Sequence, residues 1–321
     1  MQLFRPGSER YEQPIVSHWV MLRGPEKGFH IMDYEGQICR PSTEKTTLML
    51  AVAVGCSYNK CKFCTFFKHL KYRLLPMEQI EEELQRVRNL GGNPERIFLG
   101  DGNAFGMETS RLLNILKMVQ SYFPNCRMIN MDAAVSDIGN KTSDELLQLK
   151  KAGIKRLYLG IECGLDDVLE FMQKDHTRDQ AYRQIQRLRE AGLSYNAHMM
   201  TGIAGKGRGL ENAKALAVFF NRTKPERIVN FSLFLNKSAP LYHDIQAGRF
   251  EPADEVENLR EAYRLLELLD SDSLFYDGFH DHLGLRVWGR LPEERQKMLL
   301  KLEKAIDSHS CEAPTGAYGN F

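Results

Sequence analysis

Three of the chain's seven cysteines, Cys56, Cys61 and Cys64, fall within the run Gly55-Cys56-Ser57-Tyr58-Asn59-Lys60-Cys61-Lys62-Phe63-Cys64. The spacing is C-x4-C-x2-C. Thiolates at such spacing suit a soft metal centre. A structural zinc site takes four ligands and usually pairs two Cys-x2-Cys knuckles. No second knuckle exists, and Cys39, Cys126, Cys163 and Cys311 are scattered. A [4Fe–4S] cubane held by three cysteines keeps one iron open for another ligand. A redox pair is disfavoured by the third cysteine. Chance coincidence of buried cysteines is disfavoured by their closeness and by the interleaved Lys60, Lys62 and Lys68.

The elements that must carry this run follow from periodicity. Apolar, β-branched-rich segments predict strands over 47–54, 96–100, 127–132, 156–162, 195–201 and 227–234. Helical periods lie between them, over 77–90, 109–122, 143–152, 178–191 and 210–221, several stopped by glycine. Alternating strands and helices with short loops give a parallel sheet with right-handed crossovers. The expected fold is α/β, a partial (β/α)6 TIM-like barrel, with a doubly wound sheet as the other arrangement of the same pattern. An N-terminal extension over 1–45 precedes the barrel at 46–240. A helical segment over 241–321 closes it, with helices at 254–269 and 292–306 around an aromatic and His-rich stretch. The cysteine run follows the first strand directly, and active sites of parallel α/β folds lie at that end.

With these residues in place, the chain resembles the radical S-adenosylmethionine (radical SAM) superfamily. Most members carry C-x3-C-x2-C, and this chain has one more residue in the first gap. The resemblance implies that Cys56, Cys61 and Cys64 hold a [4Fe–4S] cluster and that Phe63 packs near the adenine of S-adenosylmethionine. Phe98-Leu99-Gly100-Asp101-Gly102 resembles the family's Gly-Gly-Glu motif, which implies that Gly100, Asp101 and Gly102 offer backbone to the methionine amine. The same residues also read as an ordinary Asp-Gly turn. Gly160-Ile161-Glu162-Cys163-Gly164 is similar to a Gly-x-Glu-Ser-Gly segment, and Glu162 would accept hydrogen bonds from a ribose or substrate. Met172-Gln173-Lys174-Asp175-His176-Thr177-Arg178 resembles a segment of anaerobic-coproporphyrinogen-oxidase-like members. It offers Lys174 or Arg178 to the carboxylate of S-adenosylmethionine, though both also suit solvated helix-start charges. Met200 and Gly202 match the fifth-strand motif along the adenine, where methionine equally suits core packing. His280 and His282 could line the substrate side or be satisfied core histidines, and Tyr58 beside the cluster is equally double-valued.

The remaining composition narrows the function. Lys+Arg total 43 against 42 Asp+Glu, net +1, so no global basic field marks a nucleic-acid binder. The longest apolar run, 48–54, is too short to cross a bilayer. The N-terminus shows no apolar signal core, so the expectation is a cytoplasmic protein. No cobalamin-domain-sized N-terminal region, cysteine-rich C-terminal region or added RNA-binding module is evident. A small-molecule substrate is favoured, nucleic acid is not, and the electron would come from a flavodoxin- or ferredoxin-type donor. The local run Lys60, Lys62, Lys68, His69, Lys71 and Arg73 suits either a solvated face or that donor. Three other functions compete: a haem-binding carrier using His243, His280 or His282, an RNA-modifying enzyme, and a structural zinc or iron–sulfur protein.

Overall fold

The computed structural model describes residues 41–309. The expected extension over 1–45 lies almost wholly outside these residues, as do Cys39 and Cys311. The elements run β1 (Leu48–Ala51), β2 (Ala53–Val54), β3 (Arg73–Leu74), α1 (Met77–Asn89), β4 (Arg96–Gly100), α2 (Thr109–Tyr122), β5 (Met128–Ala133), α3 (Val135–Gly139) and α4 (Ser143–Lys151). They continue through β6 (Ile154–Glu162), α5 (Asp166–Phe171), α6 (Arg178–Glu190), β7 (Ser194–Thr201), α7 (Gly209–Thr223), β8 (Arg227–Ser232) and α8 (Pro240–Gln246). The last are α9 (Glu255–Leu268), β9 (Phe275–His280), β10 (Leu285–Arg290) and α10 (Arg295–Ser308). Short 3-10 turns stand at Ser42–Glu44, Ala104–Gly106 and Asp281–Leu283.

One sheet has the order β1-β4-β5-β6-β7-β8-β9-β10. Every neighbouring pair is parallel except β9–β10, which is antiparallel. This is the partial TIM-like barrel the sequence pattern predicts, extended by strands over 275–280 and 285–290. The helices expected after residue 240 are present, and these two strands lie between them.

The segment expected as one strand over 47–54 divides at Val52. Val52 donates its N–H to Gly100 O and accepts from Leu75 N at 3.1 Å. Ala53 and Val54 then leave the parallel sheet and pair with Leu74 and Arg73. That two-residue ribbon closes the base of loop 55–72.

Local chemistry sets the helix ends. Thr142 and Thr177 open α4 and α6 with reciprocal capping boxes to Glu145 and Gln180. On one sheet face, Leu50, Leu99, Met131, Leu159 and Ala197 are fully buried. They share this face by register with Tyr276 and His280, and α9 packs on it through contacts to Gly202 and Ser232. The opposite face is the barrel interior. A ribbon of rings crosses it: Phe98–Tyr158 at 5.8 Å, Tyr158–His198 at 5.7 Å, His198–Phe231 at 6.0 Å and Phe231–Phe279 at 5.4 Å. Glu44 reaches this face, where its Oε1 accepts from Asn130 Nδ2 at 2.7 Å and Tyr158 OH at 2.6 Å.

Candidate active site

Cys56, Cys61 and Cys64 sit half-buried in loop 55–72. The loop is anchored to distant parts of the chain. Lys62 N–H donates to Met172 O at 3.0 Å just after α5, and Lys62 O accepts from Leu241 N at 2.9 Å in α8. The Lys62 ammonium pairs with Asp244 at 3.0 Å and lies 4.1 Å from the centroid of Phe171. Lys68 Nζ donates to Asn59 O at 2.6 Å, and Tyr58 OH donates to Gln173 O at 2.7 Å. Two lysines of the basic run are therefore committed to holding the loop.

Among the described residues, no three His, Cys, Asp or Glu side chains converge to hold one metal ion. A tetrahedral zinc with Zn–S of about 2.3 Å would need sulfurs roughly 3.8 Å apart. A cubane distributes its cysteines over separate irons, and three thiolates are the soft donors that such a cluster takes. Burial pushes the Cys61 thiol up to about 11, against the pull of Lys174. A bound metal is what makes such a buried thiol a thiolate.

The Gly100-Asp101-Gly102 segment lies against the start of this loop. Gly102 has φ +59, and a Cβ there would stand 2.0 Å from Gly55 O. Its N–H donates to Asp101 Oδ1 at 2.7 Å, and Asp101 N–H reaches Ala53 O at 3.4 Å. Asn103 Nδ2 donates to Ser57 Oγ at 2.8 Å and also to Asp137 Oδ2, tying the cysteine loop to α3.

At the end of β6, Glu162 takes a left-handed φ of 62, just after a register shift against β7. Its Oε1 is 3.7 Å from Lys174 Nζ, and its Oε2 is buried without a partner among the described residues. Burial pushes the Glu162 carboxyl up, and Lys174 opposes the shift. Lys174 also pairs with Asp175 at 3.4 Å. Burial alone would lower the Lys174 ammonium, but Cys61, Asp175 and Glu162 together hold it well above the ordinary value. Gly160 makes this possible: a Cβ there would come 2.4 Å from Glu162 Oε1 and 3.1 Å from Lys174 Nζ.

Phe63 and Met200 both pack against the buried cluster that includes Cys163, Met172 and Leu235. Gly202 donates its N–H to Glu261 Oε2 at 2.8 Å, and Glu261 Oε1 accepts from Asn212 Nδ2 at 2.7 Å. Asn212 Oδ1 accepts from Gly164 N at 2.8 Å and from the Cys163 thiol at 3.0 Å. This chain of bonds joins the ends of β6 and β7. Arg178 opens α6, with Nη1 3.4 Å from Gly164 O.

The structure thus brings Tyr58, the three cysteines, Glu162 and Lys174 into one electrostatic neighbourhood. It does not bring His280 there. His280 is fully buried on the helix-facing side, with Nδ1 3.3 Å from Ser232 Oγ, and burial lowers it to about 4. His282 lies 4.0 Å from Glu255 and beside Phe234.

A family profile described as Radical SAM superfamily matches residues 50–213, from β1 into α7. The chain belongs to the radical SAM superfamily. Membership makes it an enzyme that depends on a [4Fe–4S] cluster and S-adenosylmethionine. The heme chaperone HemW of Bacillus subtilis is 24% identical over 206 residues, which span 61% of this chain and 53% of that protein. The tRNA uridine(34) acetyltransferase of Methanocaldococcus jannaschii is 24% identical over 47% of this chain and 28% of its own length. This radical SAM chain therefore spans about half or less of these curated relatives. Among solved structures, Elp3 of Methanocaldococcus infernus superposes with TM-score 0.51 at 14% identity, covering 83% of this chain and 64% of the other. That likeness is one of fold. Among the described residues, no helix is long and apolar enough to cross a membrane.

Sequence reasoning passed over three groups of this candidate site. Asp175 accepts from Ser136 N at 2.8 Å and contacts His176 at 3.0 Å. Burial would raise its carboxyl, but Lys174 and His176 hold it well below the ordinary range. Its adjacency to Lys174 and His176 in sequence was the available signal. Gly160 stood in the Gly-x-Glu segment, but its clearance for Glu162 and Lys174 arises only from packing, as does the Asn212–Glu261 pair, which carried no signal.

Proposed function

We propose that Cys56, Cys61 and Cys64 hold the cluster, and that the enzyme cleaves S-adenosylmethionine reductively and takes a hydrogen atom from a small-molecule substrate inside the barrel. The observation that carries this reading is the closed cysteine loop. It stands beyond the C-terminal end of β1, abutted by Gly102 and within electrostatic reach of Glu162 and Lys174. A [4Fe–4S] cluster held by these three cysteines would supply the electron for reductive cleavage of S-adenosylmethionine.

The chain's own residues orient and shield that event. The unpartnered Oε2 of Glu162 accepts from a ribose hydroxyl. Lys174 is already neutralised by two carboxylates, so its task is to hold Glu162 in place. Arg178 then takes the carboxylate of the methionine moiety. Gly100, Asp101 and Gly102 present backbone to the amine, while Phe63, Met200 and Gly202 flank the adenine. Tyr158, His198, Phe231 and Phe279 line the barrel interior and exclude water from the substrate. His198 stays neutral there, because burial lowers it to about 4. The protein works in the cytoplasm with a flavodoxin- or ferredoxin-type donor.

Anaerobic reconstitution, reduction and quantification of 5′-deoxyadenosine test this reading. Wild type forms the product and Cys61→Ala does not. A loaded cluster that never cleaves S-adenosylmethionine under several reductants overturns it. Two other functions draw on the relatives. A haem carrier, as the HemW match suggests, requires an accessible axial ligand. His280 is fully buried and His243 is exposed on α8, so haem titration of His243→Ala decides that case. An RNA-modifying enzyme, as the tRNA acetyltransferase match suggests, predicts salt-dependent tRNA binding.

A further inference from the structure

The barrel has a second mouth, at the N-terminal ends of its strands, and a cavity of about 560 Å³ opens there. Its lining includes Arg156, Asn196, Lys224, Arg227, Phe275 and Arg290. Arg227 and Phe275 are the first residues of β8 and β9, and Arg290 ends the antiparallel β10, so all three mark the end opposite the cysteine loop. Glu226 and Asp272 are the carboxylates on the wall, so cations outnumber them two to one.

Several of the cations are held in place. Arg156 pairs with Glu226 while its Nε stays buried and unpartnered among the described residues. Lys224 Nζ donates to Asp270 O at 2.6 Å. Arg227 lies 3.9 Å from the centroid of Phe275 and 3.5 Å from Asp277, whose charge Arg286 also meets with bonds of 2.8 and 3.0 Å. Arg290 donates its backbone N–H to Glu294 Oε2 at 2.9 Å, and its guanidinium attracts that carboxylate without closing an ion pair. The decisive group is Asn196. Its side chain is 2% exposed, it lines the cavity, and its Oδ1 has no donor among the described residues. A buried carbonyl oxygen left without a donor is destabilising, and a ligand donor would relieve that.

We propose that this mouth binds a small organic anion that also carries hydroxyl donors, of the hydroxycarboxylate or sugar-phosphate kind. The anionic group meets Arg227 and Arg290, and a hydroxyl reaches Asn196 Oδ1. The volume suits such a molecule, because ligand pockets run from about 300 to 1,000 Å³. The two wall carboxylates disfavour a bare polyanion and favour a ligand with donors of its own.

Calorimetric titration of the full, cluster-loaded protein without oxygen tests the proposal, with L-malate, D-ribose 5-phosphate, D-ribose and inorganic phosphate as probes. Malate or ribose 5-phosphate should bind with Kd below about 1 mM, and which one does identifies the anionic group. Neutral ribose should not bind, and inorganic phosphate should bind at least tenfold more weakly. Asn196→Leu should erase that tenfold preference. Arg290→Gln, an exposed change that spares folding, should weaken binding about tenfold and leave 5′-deoxyadenosine formation unchanged. Absence of binding by either hydroxylated anion up to about 10 mM overturns the proposal. So does phosphate binding as tightly as they do, or a Kd that Arg290→Gln and Arg227→Gln both leave unmoved.

Discussion

Gly102 and Gly91 form an internal experiment. Both have positive φ, +59 and +80, so alanine at either position carries the left-handed penalty of about 1–2 kcal/mol. Their surroundings differ. A Cβ at Gly91 meets nothing within 4 Å, whereas at Gly102 it would stand 2.0 Å from Gly55 O and 2.6 Å from Gly55 C. Ordinary contact lies well beyond 3 Å, so Gly102→Ala must move the Gly55–Cys56 backbone by roughly 1 Å. Overpacking of that kind adds about 1–3 kcal/mol. Gly91→Ala should therefore lower urea stability by about 1 kcal/mol and leave cluster loading and S-adenosylmethionine cleavage intact. Gly102→Ala should cost roughly 2–5 kcal/mol. In whatever fraction folds, cleavage should fall by up to about a hundredfold, the usual cost of a 1 Å misplacement near reacting groups. The assays are denaturant titration, iron and sulfide content, and 5′-deoxyadenosine yield. Equal effects of the two substitutions on all three would refute the claim that Gly102 positions the cysteine loop.

Lys174→Met should destabilise the cluster-free protein by about 3–5 kcal/mol, because Glu162 and Asp175 lose their buried counter-ion; a loss below about 1 kcal/mol in urea would contradict the pairing. Glu162→Ala should raise KM for S-adenosylmethionine roughly tenfold with a smaller effect on kcat, and an unchanged KM would remove Glu162 from ribose recognition. Burial pushes Glu261 up to about 8. The folded state then holds a proton that the unfolded state releases near pH 4.5, so stability is full below that pH and falls as pH rises toward 8. The drop should reach a few kcal/mol, at about 1.4 per pH unit, and Glu261→Gln should flatten the profile in stability curves taken between pH 5 and 8.

Much of the barrel was legible because its strands carry strong local signals. The segments at 96–100, 128–133 and 194–201 follow apolar runs bounded by turn residues, and structure and expectation agree there within a residue or so. Strands β9 and β10 were hidden for a physical reason. Phe275-Tyr276-Asp277-Gly278-Phe279-His280 sets polar and aromatic residues on both faces, because Asp277 is paired by arginines and His280 is buried beside Ser232. Buried polar groups with tertiary partners mask the alternation that marks a strand. The split at Val52 was hidden for a similar reason, since 48–54 is uniformly apolar and only its partner at 73–74 divides it. At the site, cysteines and charged residues were visible as types and spacings. The contacts that aim them, such as Gly160 making room for Glu162 and Lys174, exist only once the chain is packed.

The anchoring of Lys62 bears on how the protein is made. Its backbone is pinned to Met172 and Leu241, more than a hundred residues downstream. During synthesis the cysteines emerge long before either anchor, and a nascent chain that stops short of α8 lacks half of the clasp. The loop therefore acquires its final shape late, after most of the barrel has been translated and folded. Until then the thiols are open to oxidation and to stray metals, so correct assembly depends on timing and on an oxygen-poor surrounding as much as on the residues themselves.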